Sequence, residues 1–439
     1  MSGERLDDLG ARWPASRRVG GTRQTRRPTQ ADSPATGKKR PRWWWPLLVV
    51  APLIMSGFVK GTLLGQALPF DLTVVSLGVL AFSAMIAVFR SRRTPPLGNI
   101  APLLVFIGVV LLAALRIDPS PYGMEKLIQF SLITGVAVVS IAAIVATPAQ
   151  LSSTNKAWLV LGLTACGLSL PFVRIGGLTR AGFDDLSSNA GTLGYAAALA
   201  GVWVIVSAAE KRLPWPVALP LLAVFSYFTI ASASRGALLG AVAALLAYGL
   251  IAARPGLLAK VLLPVLIGIW IALQLVPLEV RERVKLEDVT RLQAWFLARE
   301  GFLAEPILGN GLGSYATVDP YLLYPHNLVL ETAYELGLVG LVSLAFVLFF
   351  SFRNLVRFRA HAETRVLGAV TAFWLASSMV SLDLRNRLLW IPIALCLCLP
   401  AIYAPSRRPP RPESASEGHP SNYPLRAIQG RSASTGLGR

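Results

Sequence analysis

Apolar stretches of 16 to 23 residues, parted by short polar breaks, recur along the chain from Trp43 to Ala404. The pattern predicts twelve helical spans: 43–59, 69–89, 100–115, 127–146, 157–173, 190–208, 217–232, 237–253, 261–277, 328–350, 366–382 and 388–404. A helix needs about 20 residues to cross a ~30 Å hydrocarbon core, so the shortest spans must borrow flanking residues or thin the bilayer. Within 217–253 only Ser234, Arg235 and Gly236 break the run. As one helix it would extend about 55 Å, and a tight hairpin is the reading adopted. The two tails are rich in Arg, Pro, Gly and Ser without apolar periodicity, and cannot bury enough surface to offset the entropy of ordering. The expected architecture is all-α and polytopic, with disordered basic tails at 1–42 and 405–439 around a membrane domain at 43–404. A long loop, 278–327, joins spans nine and ten.

Composition agrees: 54% of the 439 residues are hydrophobic and 15% charged, against about 45–50% and 25% in soluble proteins. The formal charge is +19, and the tails supply 11 of it, with 17 Lys/Arg against 6 Asp/Glu. The basic balance is therefore a poor argument for nucleic-acid binding. Three cysteines in apolar runs make no disulfide framework, and three scattered histidines make no metal cluster. Neither a metal nor any other cofactor is expected. Counting cations by side, with the N-terminus inside, gives 29 Lys/Arg inside against 13 outside. Both termini are thus expected to be cytoplasmic. Trp43, Trp44 and Trp45, after Arg40 and Arg42, suit an interfacial anchor.

Polar residues set against spans are costly unless used or paired. On the expected outer face lie Arg174, Arg180, Arg235, Arg281, Arg283, Arg291, Arg299 and His326. Cations on the side that normally lacks them suit an anionic ligand such as a diphosphate, gripped by bidentate hydrogen bonds. Arg281, Arg283 and Arg299 are better explained by pairing with the acids of their own loop. Arg235 lies in a turn too short to hold its own acidic partner, and is read as functional. Pro325 suits the first turn of a helix on which His326, Leu330, Ala333, Gly337 and Gly340 form one stripe. Its small residues favour close packing of a neighbour. The helix N-terminus disfavours imidazolium, so His326 is expected neutral and available as a general base. Within the long loop, Val289, Leu292, Trp295, Phe296, Phe302 and Leu303 predict a surface helix with Arg291, Gln293 and Arg299 on its polar face. Pro306 ends it, and the turns at Gly309 to Ser314 complete what resembles a lid. Asp71, Glu331 and Glu335 are the ionisable residues within spans, and Glu335, the deepest, has no partner identifiable from sequence.

Arg291 followed by Trp295, then Pro306-Ile307-Leu308-Gly309-Asn310-Gly311-Leu312-Gly313, then His326-Asn327 with nine residues before Gly337-Leu338-Val339-Gly340, resembles the O-antigen ligase and polymerase family of bacterial envelope glycosyltransferases. Ser234-Arg235-Gly236 also matches, as does Arg180-Ala181-Gly182-Phe183 with Asn189. The matching blocks cover roughly residues 174–345. The resemblance implies a membrane glycosyltransferase of the bacterial inner membrane that uses neither metal nor nucleotide sugar. Its donor would be a glycan on undecaprenyl diphosphate, taken at the periplasmic face. Its acceptor would be lipid A-core in a ligase or a lipid-linked glycan in a polymerase, while relatives with the same motif glycosylate protein hydroxyls. Carried onto matching positions, it makes His326 the base, with Arg235 and Arg291 binding the diphosphate and Arg180 a weaker match. Arg174 is added by position alone. Asn327, Glu335, Gly337 and Gly340 are expected in support. The alternative from another class is a twelve-span secondary transporter of a small anion, for which Glu335 is the best argument.

Overall fold

The computed structural model describes residues 44–60, 62–91, 96–116, 121–170, 190–252, 289–319 and 322–404. Every regular element among them is helical, so the all-α class holds. In chain order these are α1 (Trp45–Lys60), α2 (Leu63–Ala67), α3 (Leu72–Ser91), α4 (Leu97–Ala113), α5 (Pro121–Ile144), α6 (Pro148–Asn155), α7 (Ala157–Ser169), α8 (Ala190–Ala209), α9 (Trp215–Ala231) and α10 (Arg235–Ile251). After these come α11 (Val289–Ala304), α12 (Tyr315–Val318), α13 (Leu328–Arg357), α14 (Ala362–Ser378) and α15 (Arg387–Ile402). Expected span 261–277 and both tails lie outside the described residues.

Among the described residues five helices, against twelve expected spans, are long and apolar enough to cross a membrane: Leu72–Arg90, Leu97–Arg116, Pro121–Ile144, Gly191–Ala209 and Leu328–Arg357. Trp45–Lys60, Trp215–Ala231, Arg235–Ile251 and Arg387–Ile402 are apolar but only 16 or 17 residues long, reaching about 25 Å at 1.5 Å per residue. The outer helices turn bulky apolar side chains outward, among them Val74, Phe82 and Phe89 of α3 and Val105 and Leu112 of α4. A surface of that kind belongs in lipid. In α15 every residue from Leu389 to Leu399 is buried. A helix hydrophobic all round takes the middle of a bundle, and α15 packs on α4, α5, α13 and α14.

The chain reverses at 232–234, as a hairpin requires: Tyr248, far along α10, donates a 2.7 Å hydrogen bond to Glu210, just ahead of α9. The two helices are splayed, and both pack on α8. Glycine lets α10 lie close on α14, since a Cβ at Gly240 would stand 3.0 Å from the Phe373 carbonyl. Polar side chains segregate to the two ends of the bundle. At one end Arg212 pairs with Glu363 (2.5 Å) and Arg365 with Glu210 (2.8 Å). At the other, Lys60 pairs with Asp71 (2.6 Å) and Arg116 reaches the Gly309 carbonyl (2.9 Å).

The expected stripe from His326 to Gly340 does not form. Helix α13 starts at Leu328 with Asn327 as N-cap, so Pro325 and His326 precede it, and the Pro325 carbonyl accepts from the Trp295 indole at 2.9 Å. Gly337 breaks the helix at φ +62°, ψ −156°. The groups freed there are met by the segment after α11. Leu338 N–H donates to the Pro306 carbonyl (2.8 Å) and Val339 N–H to Ile307 (3.2 Å), while Asn310 and Gly311 N–H groups donate to Tyr334 and Glu335 (2.8 and 3.1 Å). Unwound backbone inside a membrane protein needs such partners. A Cβ on Gly337 would lie 2.5 Å from Gly309 N, and one on Gly309 2.6 Å from the Glu335 carbonyl oxygen. The two glycine motifs are thus the two halves of one backbone junction. Helix α11 forms as expected but buries its small residues, Ala294 and Ala298, against Tyr315 and Tyr334. Leu292, Phe296 and Leu303 are exposed.

Candidate active site

At the end of the bundle that holds His326, a cavity of about 530 Å³ opens between α1, α5, α8, α10, α11 and the loop from α14 to α15. Arg235, Arg291 and His326, singled out from widely separated parts of the sequence, all line it. Arg385, Arg387, Asp383, Tyr195, Tyr324 and Ser234 line it as well. Among the described lining residues four carry a guanidinium group and one, Asp383, a carboxylate, a balance suited to an anionic ligand.

The loop after α14 fixes the histidine through its carbonyls. His326 Nδ1 lies 3.3 Å from the Ser381 oxygen, and the Tyr324 hydroxyl donates to the same oxygen at 3.3 Å. A carbonyl only accepts, so in the neutral ring this bond puts the proton on Nδ1 and leaves Nε2 with its lone pair. The rings of Tyr324 and His326 are 4.2 Å apart. Burial raises the Tyr324 hydroxyl above the ordinary tyrosine range, with Asp383 adding to it. Arg291 donates to the Val380 carbonyl (2.6 Å) and Asn327 to that of Met379 (3.1 Å). Asn327 also caps α13, its Oδ1 accepting from Val329 and Leu330 N–H groups at 3.0 Å each. The cap holds His326 one residue before the N-cap and two before Leu328, the first residue of the helix.

Arg235 is the first residue of α10, behind the N-cap Ser234. Arg385 pairs with Asp383 (2.5 Å) and Glu125 (3.2 Å) and lies over the Tyr122 ring at 5.1 Å. Burial works against its charge, but Asp383, Tyr122 and Glu125 outweigh this and carry it above the ordinary arginine value. Arg387 donates to Ser56 Oγ at 2.7 Å. The backbone is strained at two points of this rim. His326 (φ +53°) and Ala233 (φ +49°) hold left-handed conformations, and Lys211 is the other non-glycine residue to do so among the described residues. Such conformations cost about 1–3 kcal/mol each and collect at functional sites.

Behind the cavity lies a buried ionic cluster. Lys126 of α5 is fully buried and pairs with Glu331 and with Glu335, whose two oxygens are both 2.7 Å from Nζ. Lys126 is the partner of Glu335 that the sequence did not disclose. The second Glu331 oxygen accepts from Leu384 N–H at 2.9 Å, tying the cluster to the loop that positions His326.

Glu335, Gly337 and Gly340 do not line the cavity. Glu335 belongs to the ionic cluster and Gly337 to the helix break, while Gly340 lies within α13 against the Leu336 side chain. Arg299 stands 3.5 Å from Glu300 on the surface, as expected of a paired loop residue. Arg174, Arg180, Arg281 and Arg283 lie outside the described residues. Arg385 and Arg387 were missed although Asp383-Leu384-Arg385-Asn386-Arg387 shows two cations at a junction expected on the outer face, the criterion that picked out Arg174. Among the described residues no cluster of three or more His, Cys, Asp or Glu could hold a metal ion. No model of a known protein family and no curated protein matches the chain.

Proposed function

We propose that the protein is a metal-independent glycosyltransferase that moves a glycan from undecaprenyl diphosphate to an acceptor hydroxyl, as an O-antigen ligase or a surface-polysaccharide polymerase. In this reading it sits in the bacterial inner membrane in twelve spans, the short helices counting as spans with their flanking residues. Both termini are cytoplasmic and the His326 end is periplasmic. The observation that carries the reading is one cavity lined by the His326 imidazole, its Nδ1 held by the Ser381 carbonyl, and, among the described residues, by four arginines and the Asp383 carboxylate. The acceptor hydroxyl attacks the anomeric carbon and its proton passes to His326 Nε2. The sugar–phosphate C–O bond breaks, and the charge left on the diphosphate is met by Arg235, Arg291, Arg385 and Arg387. Arg180 and Arg174 extend that set. The donor's lipid tail explains a site at the membrane boundary. The anion-transporter alternative leaned on an unexplained charge at Glu335, and pairing with Lys126 removes that motive.

The test is His326→Asn, because asparagine tolerates a left-handed backbone and has no basic nitrogen. Transfer from a lipid-linked glycan by the purified variant should fall by about 10²- to 10⁴-fold, with the unfolding temperature unchanged. A wild-type rate would overturn the assignment. Offering lipid A-core or lipid-linked repeat units then separates the two activities: a polymerase lengthens the chain on its carrier, and a ligase moves it to another anchor.

A further inference from the structure

A second concavity, larger than the first, runs along the side of the bundle between α4 and α13, with a volume of about 1000 Å³. Its body is apolar, formed by Val105, Val109, Leu338, Val342, Phe346 and Phe350. From Leu338 to Arg353 it follows α13 for about 22 Å, at 1.5 Å per residue. Its open side is the lipid-facing surface: Val105, Leu338, Val342 and Phe346 are all among the exposed large apolar residues. The end remote from His326 is polar. Arg353 and Arg357 stand one turn apart on the same face of α13 and line the groove there, opposite Asn99 at the start of α4. Both arginines are exposed, and no carboxylate lies within ion-pair distance of either among the described residues. The neighbouring Asn354 is spent on structure, donating to the Cys396 and Leu397 carbonyls of α15.

A long apolar channel open to lipid, ending in two cations at the membrane boundary, has the form of an amphiphile with an anionic head. We propose that this groove binds an anionic glycerophospholipid, with its phosphate on Arg353 and Arg357 and an acyl chain along α13. Basic pockets between membrane helices recognise such headgroups, and guanidinium pairs bind phosphate oxygens by bidentate hydrogen bonds. The apolar body accounts for the chain and the arginines for the charge; a zwitterionic lipid would satisfy the first alone.

The experiment is native mass spectrometry of the full chain in detergent, titrated with phosphatidylglycerol or phosphatidylcholine carrying the same acyl chains. Wild type should retain phosphatidylglycerol preferentially. Arg353→Gln/Arg357→Gln should weaken phosphatidylglycerol by about 30-fold, the worth of two arginines near an anionic lipid, and leave phosphatidylcholine unchanged. Val342→Trp, which fills the groove from an exposed position, should weaken both lipids. Equal retention of the two lipids by wild type, or unaltered phosphatidylglycerol binding in the double variant, overturns the proposal. None of these residues lines the His326 cavity, so glycan transfer is tested independently.

Discussion

Removing Lys126 tests the buried ionic cluster most directly. One ammonium serves two carboxylates, lying 2.7 Å from both oxygens of Glu335 and also bonded to Glu331, and all three side chains are fully buried. Lys126→Met fits the volume but leaves two carboxylates facing each other in an apolar bundle. Breaking a buried pair costs about 3–5 kcal/mol, because the survivor keeps its desolvation penalty and loses its partner. With two survivors the upper end of that range is expected. The triple variant Lys126→Met/Glu331→Gln/Glu335→Gln removes every charge and should regain most of the loss, although it carries more substitutions. The assay is unfolding of the detergent-solubilised protein followed by tryptophan fluorescence, for which the 11 tryptophans give ample signal. The coupling between the substitutions, rather than any single value, is the signature of the cluster. If Lys126→Met stays within about 1 kcal/mol of wild type, or the triple variant is no more stable than the single one, the cluster is not the closed charge-compensating unit described.

Three further outcomes follow from the geometry. Gly337→Ala places a Cβ 2.5 Å from Gly309 N on a left-handed backbone, and should cost at least about 1–3 kcal/mol in unfolding free energy. Asn327→Ala removes a cap bonded to two N–H groups and to the Met379 carbonyl. It should cost about 1–2 kcal/mol and lower glycan transfer further than the stability loss explains, because His326 is the adjoining residue. Tyr324 has a folded pKa above its unfolded value, chiefly through burial. Its contribution is therefore complete below the unfolded tyrosine pKa near 10 and is lost as pH rises beyond it. Tyr324→Phe should accordingly lose less stability than wild type between pH 9 and pH 11, measured by the same fluorescence assay.

What the sequence disclosed, and what it withheld, follows the range of the forces involved. Hydrophobic runs are local, so each apolar stretch within the described residues appears as a helix. The arginines of the cavity were visible where a cation stood on the side expected to lack it, as Arg235 does. The pairing of Lys126 with Glu331 and Glu335 was hidden because about 200 positions part them, and Lys126 reads from sequence as one more loop cation. His326 lines the cavity beside Arg235 and Arg291, but it was read wrongly as part of a helix. The run His326 to Gly340 has perfect helical spacing, but spacing cannot reveal that Asn327 caps the helix one residue later. Helix α11 was legible from its apolar spacing, but that spacing did not reveal that Ala294 and Ala298 are the residues buried against Tyr315 and Tyr334 while Leu292, Phe296 and Leu303 stay exposed.

The interruption at Gly337 bears on how the chain is made. Nothing in Leu328–Arg357 taken alone demands a break, since its glycines are tolerated within helices and its hydrogen bonds would all be met by a straight rod. The bend exists because residues 306–311, synthesised earlier, supply partners for the backbone that unwinds. The thirty residues should therefore leave the ribosome and enter the bilayer unbent, and acquire their bend only when that earlier segment docks. A peptide of this stretch in micelles would be continuous, and the junction would arise as a late step of maturation.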